Sequence, residues 1–154
     1  TPKMLLRHSQ CTIILKECTL PGGFRSILED DTPNYDAEIL VMCTGKIYYD
    51  YKEALPEERH GDFACLRIES LYPLDFDGLV KLLDRYSKVK HYVWLQEEPQ
   101  NMGAYEYMFM ALKDILPGKM LCISRARSSS TASGSARLSH KELLTCMETL
   151  FSLR

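Results

Sequence analysis

No two of the six cysteines in this 154-residue sequence stand in a C-x-x-C pair. That spacing is what a zinc ribbon or finger requires, so a structural zinc site is not expected. Long hydrophobic runs are also missing. No stretch reaches membrane-spanning length, and no charged start followed by an apolar segment reads as a signal peptide. Positive charge is not in excess: 19 Lys and Arg face 21 Asp and Glu, for a formal charge of -2. A basic footprint for nucleic acid is therefore lacking. So are the G-x-S-x-G elbow of serine hydrolases and the full phosphate loop G-x-x-x-x-G-K-[ST]. The chain starts at Thr1 rather than Met, as expected of a piece of a longer protein.

What is present is the composition of an ordinary globular domain, 45% apolar and 26% charged. Residues 1–35 are the least regular. Thr1 to His8 reads as extended, because Pro2 biases its neighbour away from helix. Thr12-Ile-Ile-Leu15 suits a short strand or an apolar arm, Pro21-Gly-Gly23 a turn, and Phe24 to Leu28 one short apolar stretch. The expectation is a lead-in of residues 1–35 packing on a single α/β domain of residues 36–154.

From Glu38 onward strand and helix patterns alternate four times. Ile39–Cys43, Phe63–Ile68, Tyr92–Leu95 and Met120–Ile123 are apolar runs of the kind buried on both faces of a parallel sheet. Between and after them, helices are predicted from Thr44-Gly45 to about Leu55, over Asp75–Tyr86, over Met102–Leu116 and over Ser139–Phe151. Crossovers of that length give parallel connections, hence a three-layer α/β sandwich. Cys43, Cys65 and Cys122 sit inside the strand-like runs and read as reduced core thiols of a reducing compartment.

One stretch gathers most of the chemistry. His91-Tyr-Val-Trp-Leu-Gln-Glu-Glu-Pro-Gln-Asn-Met-Gly-Ala-Tyr105 begins as a buried strand, turns polar at Gln96 and breaks at Pro99. It places Glu97, Glu98 and Asn101 at the carboxyl end of a strand, where open α/β sheets meet ligands and partners. Paired carboxylates can serve as acid and base or hold a metal. Adjacent residues of an extended segment, however, point to opposite faces, which argues against a shared proton or metal. The residues favour contact roles for Gln96, Glu97, Glu98 and Asn101, with no catalytic, cofactor or metal ligand among them.

A second candidate is the loop around Ser128-Ser-Ser-Thr-Ala-Ser-Gly134-Ser135, flanked by Arg125, Arg127 and Arg137. Arg125, Arg127 and Gly134 would suit a phosphate or carboxylate, although the same composition makes a mobile loop. Thr44-Gly45-Lys46 reads as a plain strand-to-helix turn, since Ile47 holds the Ser/Thr place of a phosphate loop. His8, His60, His91 and His140 show no ligand spacing. Tyr105, Tyr107, Met108, Phe109 and Leu112 read as a core-facing helix stripe, and Tyr48-Tyr49 likewise as core.

Four blocks in order carry a family resemblance: Pro2-Lys-Met-Leu-Leu-Arg-His8, Cys43-Thr-Gly-Lys-Ile-Tyr-Tyr-Asp50, Leu66-Arg-Ile-Glu-Ser-Leu-Tyr-Pro73 and Trp94-Leu-Gln-Glu-Glu-Pro-Gln-Asn-Met-Gly-Ala104. The loop from Arg125 to Gly134 follows before the last helix. Over nearly its whole length the chain resembles the C-terminal domain of the thiamine-dependent first component of the 2-oxoglutarate dehydrogenase complex. The sister enzyme acting on 2-oxoadipate looks similar across the same blocks. Departures are Tyr105 where the family usually has Trp, Met102 where it has Gln, and Thr131 where it often has Pro.

The resemblance implies a transketolase C-terminal-like fold. Its sheet would have about five strands, mainly parallel with one antiparallel edge strand. It implies a parent enzyme that decarboxylates 2-oxoglutarate on thiamine diphosphate and magnesium and succinylates a lipoyl-lysine. The cofactor would lie in other domains, and this segment alone would be inactive. The implied partners are the upstream catalytic domains of the same chain, a homodimer partner and the lipoyl-bearing second component. The compartment would be the bacterial cytoplasm or the mitochondrial matrix. Two rivals remain: a stand-alone α/β domain binding a phosphorylated ligand through Arg125, Arg127 and the serine loop, and a free-standing enzyme whose site assembles only in space.

Overall fold

Strand residues of odd and even number part to opposite sides of one sheet, and each side is covered by two helices. The computed structural model describes residues 3–12, 19 and 24–154. The strands are β1 (Ile27–Glu29), β2 (Ile39–Cys43), β3 (Phe63–Ile68), β4 (His91–Pro99) and β5 (Met120–Arg125). The helices are α1 (Ile47–Ala54), α2 (Phe76–Arg85), α3 (Tyr105–Leu112) and α4 (Ala136–Phe151).

The sheet order is β1-β3-β2-β4-β5. β2 pairs in parallel with both β3 and β4, and β4 in parallel with β5. β1 runs antiparallel along the β3 edge. This is the mainly parallel sheet with one antiparallel edge strand that the resemblance implied. The edge strand is drawn from residues 27–29, where only a short apolar stretch was read.

Leu40, Met42, Leu66, Tyr92 and Trp94 pack with Leu79 of α2 and with Met108 and Leu112 of α3. Ile39, Val41, Cys65, Val93, Leu95 and Ile123 pack with Ile47 and Tyr51 of α1 and with Met147 and Leu150 of α4. Alternation within continuous apolar runs is what a doubly covered parallel sheet needs. Burying one such side chain contributes about 1.5–3 kcal/mol. Cys43 and Cys65 lie within this core with their sulfurs 3.9 Å apart, whereas Cys122 is half-buried.

Several element limits differ from the sequence reading, each for a local reason. Lys3–Arg7 is a short 3-10 helix rather than extended. It is drawn in by the burial of Leu5 and by the His8 ring packing 4.7 Å from that of Tyr49. Gly45 has φ +75°, so α1 starts at Ile47. Gly103 has φ +70°, which delays α3 to Tyr105. Left-handed backbone cannot lie inside an α-helix. α3 also ends at Leu112, four residues short of Leu116. α4 starts three residues early at Ala136, because the Ser135 side chain caps it by accepting from the Leu138 amide. β4 runs on to Pro99, which pairs with Arg125 beyond an irregularity after Leu95. Of the lead-in expectations, Ile13–Leu15, Pro21–Gly23 and Pro2 lie outside the described residues.

Candidate functional site

The chain leaves β2 toward α1 on one face of the sheet and leaves β4, its neighbour, toward α3 on the other. That divergence opens a crevice at the carboxyl ends of two adjacent parallel strands, the place where α/β sheets bind. The stretch singled out in the sequence forms its rim.

Gln96 sits at the centre of this rim and is 2% exposed, the one buried polar residue of the described core. Its Oε1 accepts from Trp94 Nε1 at 2.9 Å and from the Tyr105 amide at 3.1 Å. Its Nε2 donates to the carbonyls of Met102 at 2.8 Å and Pro99 at 3.0 Å, with a longer bond to Glu98 at 3.4 Å. Period-two alternation brings Gln96 to the Trp94 side, and burial there demands that its amide be satisfied. One side chain thus holds both ends of the turn from Glu97 to Tyr105. Gly103 belongs to the same lock: a Cβ there would lie 2.9 Å from Gln96 Oε1.

Beyond Gln96 the two carboxylates separate. Glu97 lines a cavity of about 380 Å³ on the α1–α4 side, with Lys46, Asp50, Arg125, His140 and Cys146 among its other walls. Glu98 lines a groove of about 460 Å³ on the α2–α3 side, with Leu71, Tyr72, Trp94, Ala104 and Tyr107. Both are exposed, and among the described residues neither carboxylate has an ion-pair or hydrogen-bond partner. In the Glu97 cavity Lys46 is paired with Asp50 and Arg125 with Glu142, so Glu97 has no cation of its own. Burial first, then the Glu142 carboxylate, push the Cys146 thiol up from its ordinary value, and it lines the wall as a neutral group.

Asn101 is exposed and spans to the next loop. Its Nδ2 donates to the Ser128 carbonyl and its Oδ1 accepts from the Ser128 amide, both at 3.0 Å. Arg125 Nε donates to Glu142 at 2.7 Å and Nη1 to the Thr131 carbonyl at 3.2 Å. The shallow pocket beside it, about 330 Å³, is bordered by both Glu97 and Glu98. An arginine already paired and two free carboxylates make this a poor anion site. Arg127 and Gly134 are exposed on the same loop, Gly134 at φ +67°. The structure therefore brings Gln96, Glu97, Glu98, Asn101 and Arg125 together, and leaves Arg127 and Gly134 at the margin.

His140, far from Glu97 in sequence, shares its cavity. Among the described residues no three His, Cys, Asp or Glu side chains converge to hold a metal ion, and no helix is long and apolar enough to cross a membrane. The α3 stripe divides: Met108 and Leu112 are core, but Tyr107 and Phe109 are exposed. Sequence reasoning missed Tyr72, 87% exposed beside the groove. It also missed the inward role of Gln96, whose signal was its even-numbered place two residues after Trp94.

Comparison with known proteins places the whole chain. The family described as 2-oxoglutarate dehydrogenase C-terminal matches residues 14–151. A 2-oxoglutarate dehydrogenase E1 component of Haemophilus influenzae is 35% identical over 156 residues, covering 99% of this chain and 17% of that protein. One of Azotobacter vinelandii is 41% identical over 107 residues, covering 68% and 11%. A multifunctional 2-oxoglutarate metabolism enzyme of Mycolicibacterium vanbaalenii is 35% identical over 147 residues, covering 90% and 12%. The chain spans 11% to 17% of the length of these relatives. A solved structure described as a split gene transketolase, inactive beta4 tetramer, shares the fold with a TM-score of 0.60 at 13% identity, over 85% of this chain and 44% of that one.

Proposed function

This chain belongs to the 2-oxoglutarate dehydrogenase C-terminal family, and we propose that it serves as an assembly domain of an enzyme that decarboxylates 2-oxoglutarate and succinylates a lipoyl-lysine. In this reading residues 36–154 are the body of the domain and residues 1–35 the arm leading into it, whose Ile27–Glu29 adds the edge strand of the sheet. The upstream catalytic domains of the same polypeptide carry thiamine diphosphate and magnesium, and the chain pairs with a second copy and serves a lipoyl-bearing component. The compartment is the cytoplasm in a bacterium or the mitochondrial matrix in a eukaryote.

The observation that carries this reading is the rim of the crevice. Two carboxylates without partners stand on a turn fixed from beneath by a buried amide, next to exposed Tyr72 and Tyr107. Rigid aromatic surface is what the centres of protein interfaces are enriched in, with charged groups at their polar rims. The anion-binding rival is disfavoured by the pairing of Arg125 with Glu142. The test is assembly of the longer enzyme bearing this segment, measured by sedimentation velocity. Glu97→Ala or Glu98→Ala should weaken assembly about tenfold, near 1.4 kcal/mol, while Glu53→Ala should leave it unchanged. Normal assembly of both rim variants would overturn the reading.

A further inference from the structure

The groove on the α2–α3 side has a chemistry more specific than a generic interface. Glu98 projects into it from a backbone whose own carbonyl accepts from Gln96. The rest of its lining is mainly apolar and aromatic, with Thr44 and Gln96 as the only other polar side chains. Trp94 forms its buried floor, and Leu71 and Ala104 form part of its walls. Tyr72 and Tyr107 stand at its sides, 87% and 45% exposed, with no ring or hydroxyl partner among the described residues. No Lys or Arg lines it. A lone carboxylate and two open tyrosine rings lining one groove are complementary to a planar cation, which can fork onto a carboxylate and stack on an aromatic ring. A lysine ammonium offers neither the fork nor the stacking.

We infer that this groove receives an arginine side chain flanked by apolar residues, supplied by the part of the longer protein that lies outside these 154 residues. The volume, about 460 Å³, holds a guanidinium with its stem and one apolar neighbour. The occupant is sought in the same polypeptide because the chain spans only 11% to 17% of its relatives. The inference rests on the assembly reading above and names the contact that Glu98 makes in it. Glu97 faces the other side of the sheet and is not part of this contact.

Trp94 is the single tryptophan and lines the groove, so its emission reports occupancy. The experiment titrates the 154-residue chain with acetyl-Leu-Arg-Leu-amide and with the same peptide carrying citrulline, a neutral isostere. The arginine peptide should shift Trp94 emission saturably, with the citrulline peptide at least fivefold weaker. Glu98→Gln should abolish the difference, and Glu97→Gln should preserve it. Equal binding of the two peptides, no response to either, or equal loss in both variants would overturn the inference. The two readings fail separately. If assembly of the longer enzyme needs Glu98 but the peptides bind alike, the arginine is wrong and the interface stands. If assembly ignores Glu97 and Glu98 alike, the interface reading goes first.

Discussion

Two neighbouring loops leave the same end of the sheet and are held in opposite ways. The end of β4 and the turn after it, from Glu97 to Ala104, are organised from beneath by Gln96, whose four shortest hydrogen bonds run from 2.8 to 3.1 Å around a buried amide. The loop after β5 is organised from within by exposed hydroxyls: the Ser130 amide donates to Ser128 Oγ, Ser130 Oγ to the Ala132 carbonyl, and Ser133 Oγ to the Ser135 carbonyl. Buried bonds cannot be exchanged for water when they break, whereas exposed ones can. The first loop is therefore a fixed platform and the second takes its place from what it leans on. A contact surface is best built on the former, which is where the unpaired carboxylates stand.

Removing the lock should give the largest effect. Gln96→Leu keeps the volume roughly constant but strands Trp94 Nε1, the Tyr105 amide and the Met102 carbonyl, while the Pro99 carbonyl keeps the Met102 amide as its donor. Unsatisfied buried groups cost about 1–3 kcal/mol each, softened by local rearrangement. A total loss of about 3–5 kcal/mol is expected in urea unfolding, with a shift in Trp94 emission. Ser130→Ala in the other loop should change stability by less than about 0.5 kcal/mol. Equal effects from the two variants would break the contrast.

A smaller version of the same test is Gly103→Ala. The left-handed φ of +70° penalises any side chain, and the new Cβ would meet the Gln96 carboxamide at 2.9 Å. That carboxamide is held by its own bonds and cannot swing away cheaply. A cost of about 1–3 kcal/mol is expected. Gly134→Ala, with a similar φ of +67° but nothing within 4 Å, should cost about 1 kcal/mol. The difference between the two glycine variants measures the lock apart from the backbone strain.

The architecture was legible in the sequence because the parallel strands are continuous apolar runs bounded by turns: Ile39–Cys43 and Phe63–Ile68 fall where the residues put them. Three-residue β1 was not read from the residues, since its register with β3, Ile27 against Ile68, is set by tertiary pairing rather than by local pattern. In the site, alternation foretold that Glu97 and Glu98 would part to opposite faces, and each lines its own larger cavity although both border the small pocket beside Arg125. Alternation puts Gln96 on the Trp94 side but could not tell that it would spend its amide within the chain, because that depends on where the Met102 carbonyl and the Tyr105 amide return. Tyr107 and Phe109 carry an apolar pattern that reads as core, yet α3 covers the sheet with Met108 and Leu112 and leaves those rings outside. An unpaired helix face and a buried one look alike until the neighbouring layer is known.

The smallest predicted effect concerns the join between the two loops. Asn101 is the side chain that carries the rigidity of the first into the second, through paired bonds to Ser128. Both bonds are exposed, so Asn101→Ala should lower global stability by no more than about 0.5–1 kcal/mol. Its local consequence should be larger than its global one. The Ser128 amide loses its acceptor, and hydrogen exchange there should quicken about fivefold, spreading to Ser130. The Tyr105 amide, which donates to buried Gln96, should exchange as before. Quickened exchange confined to the serine loop would show that order flows from the β4 turn outward through Asn101. Quickened exchange at Tyr105 as well would mean that the loops hold each other, and the one-way contrast between platform and dependent loop would have to be dropped.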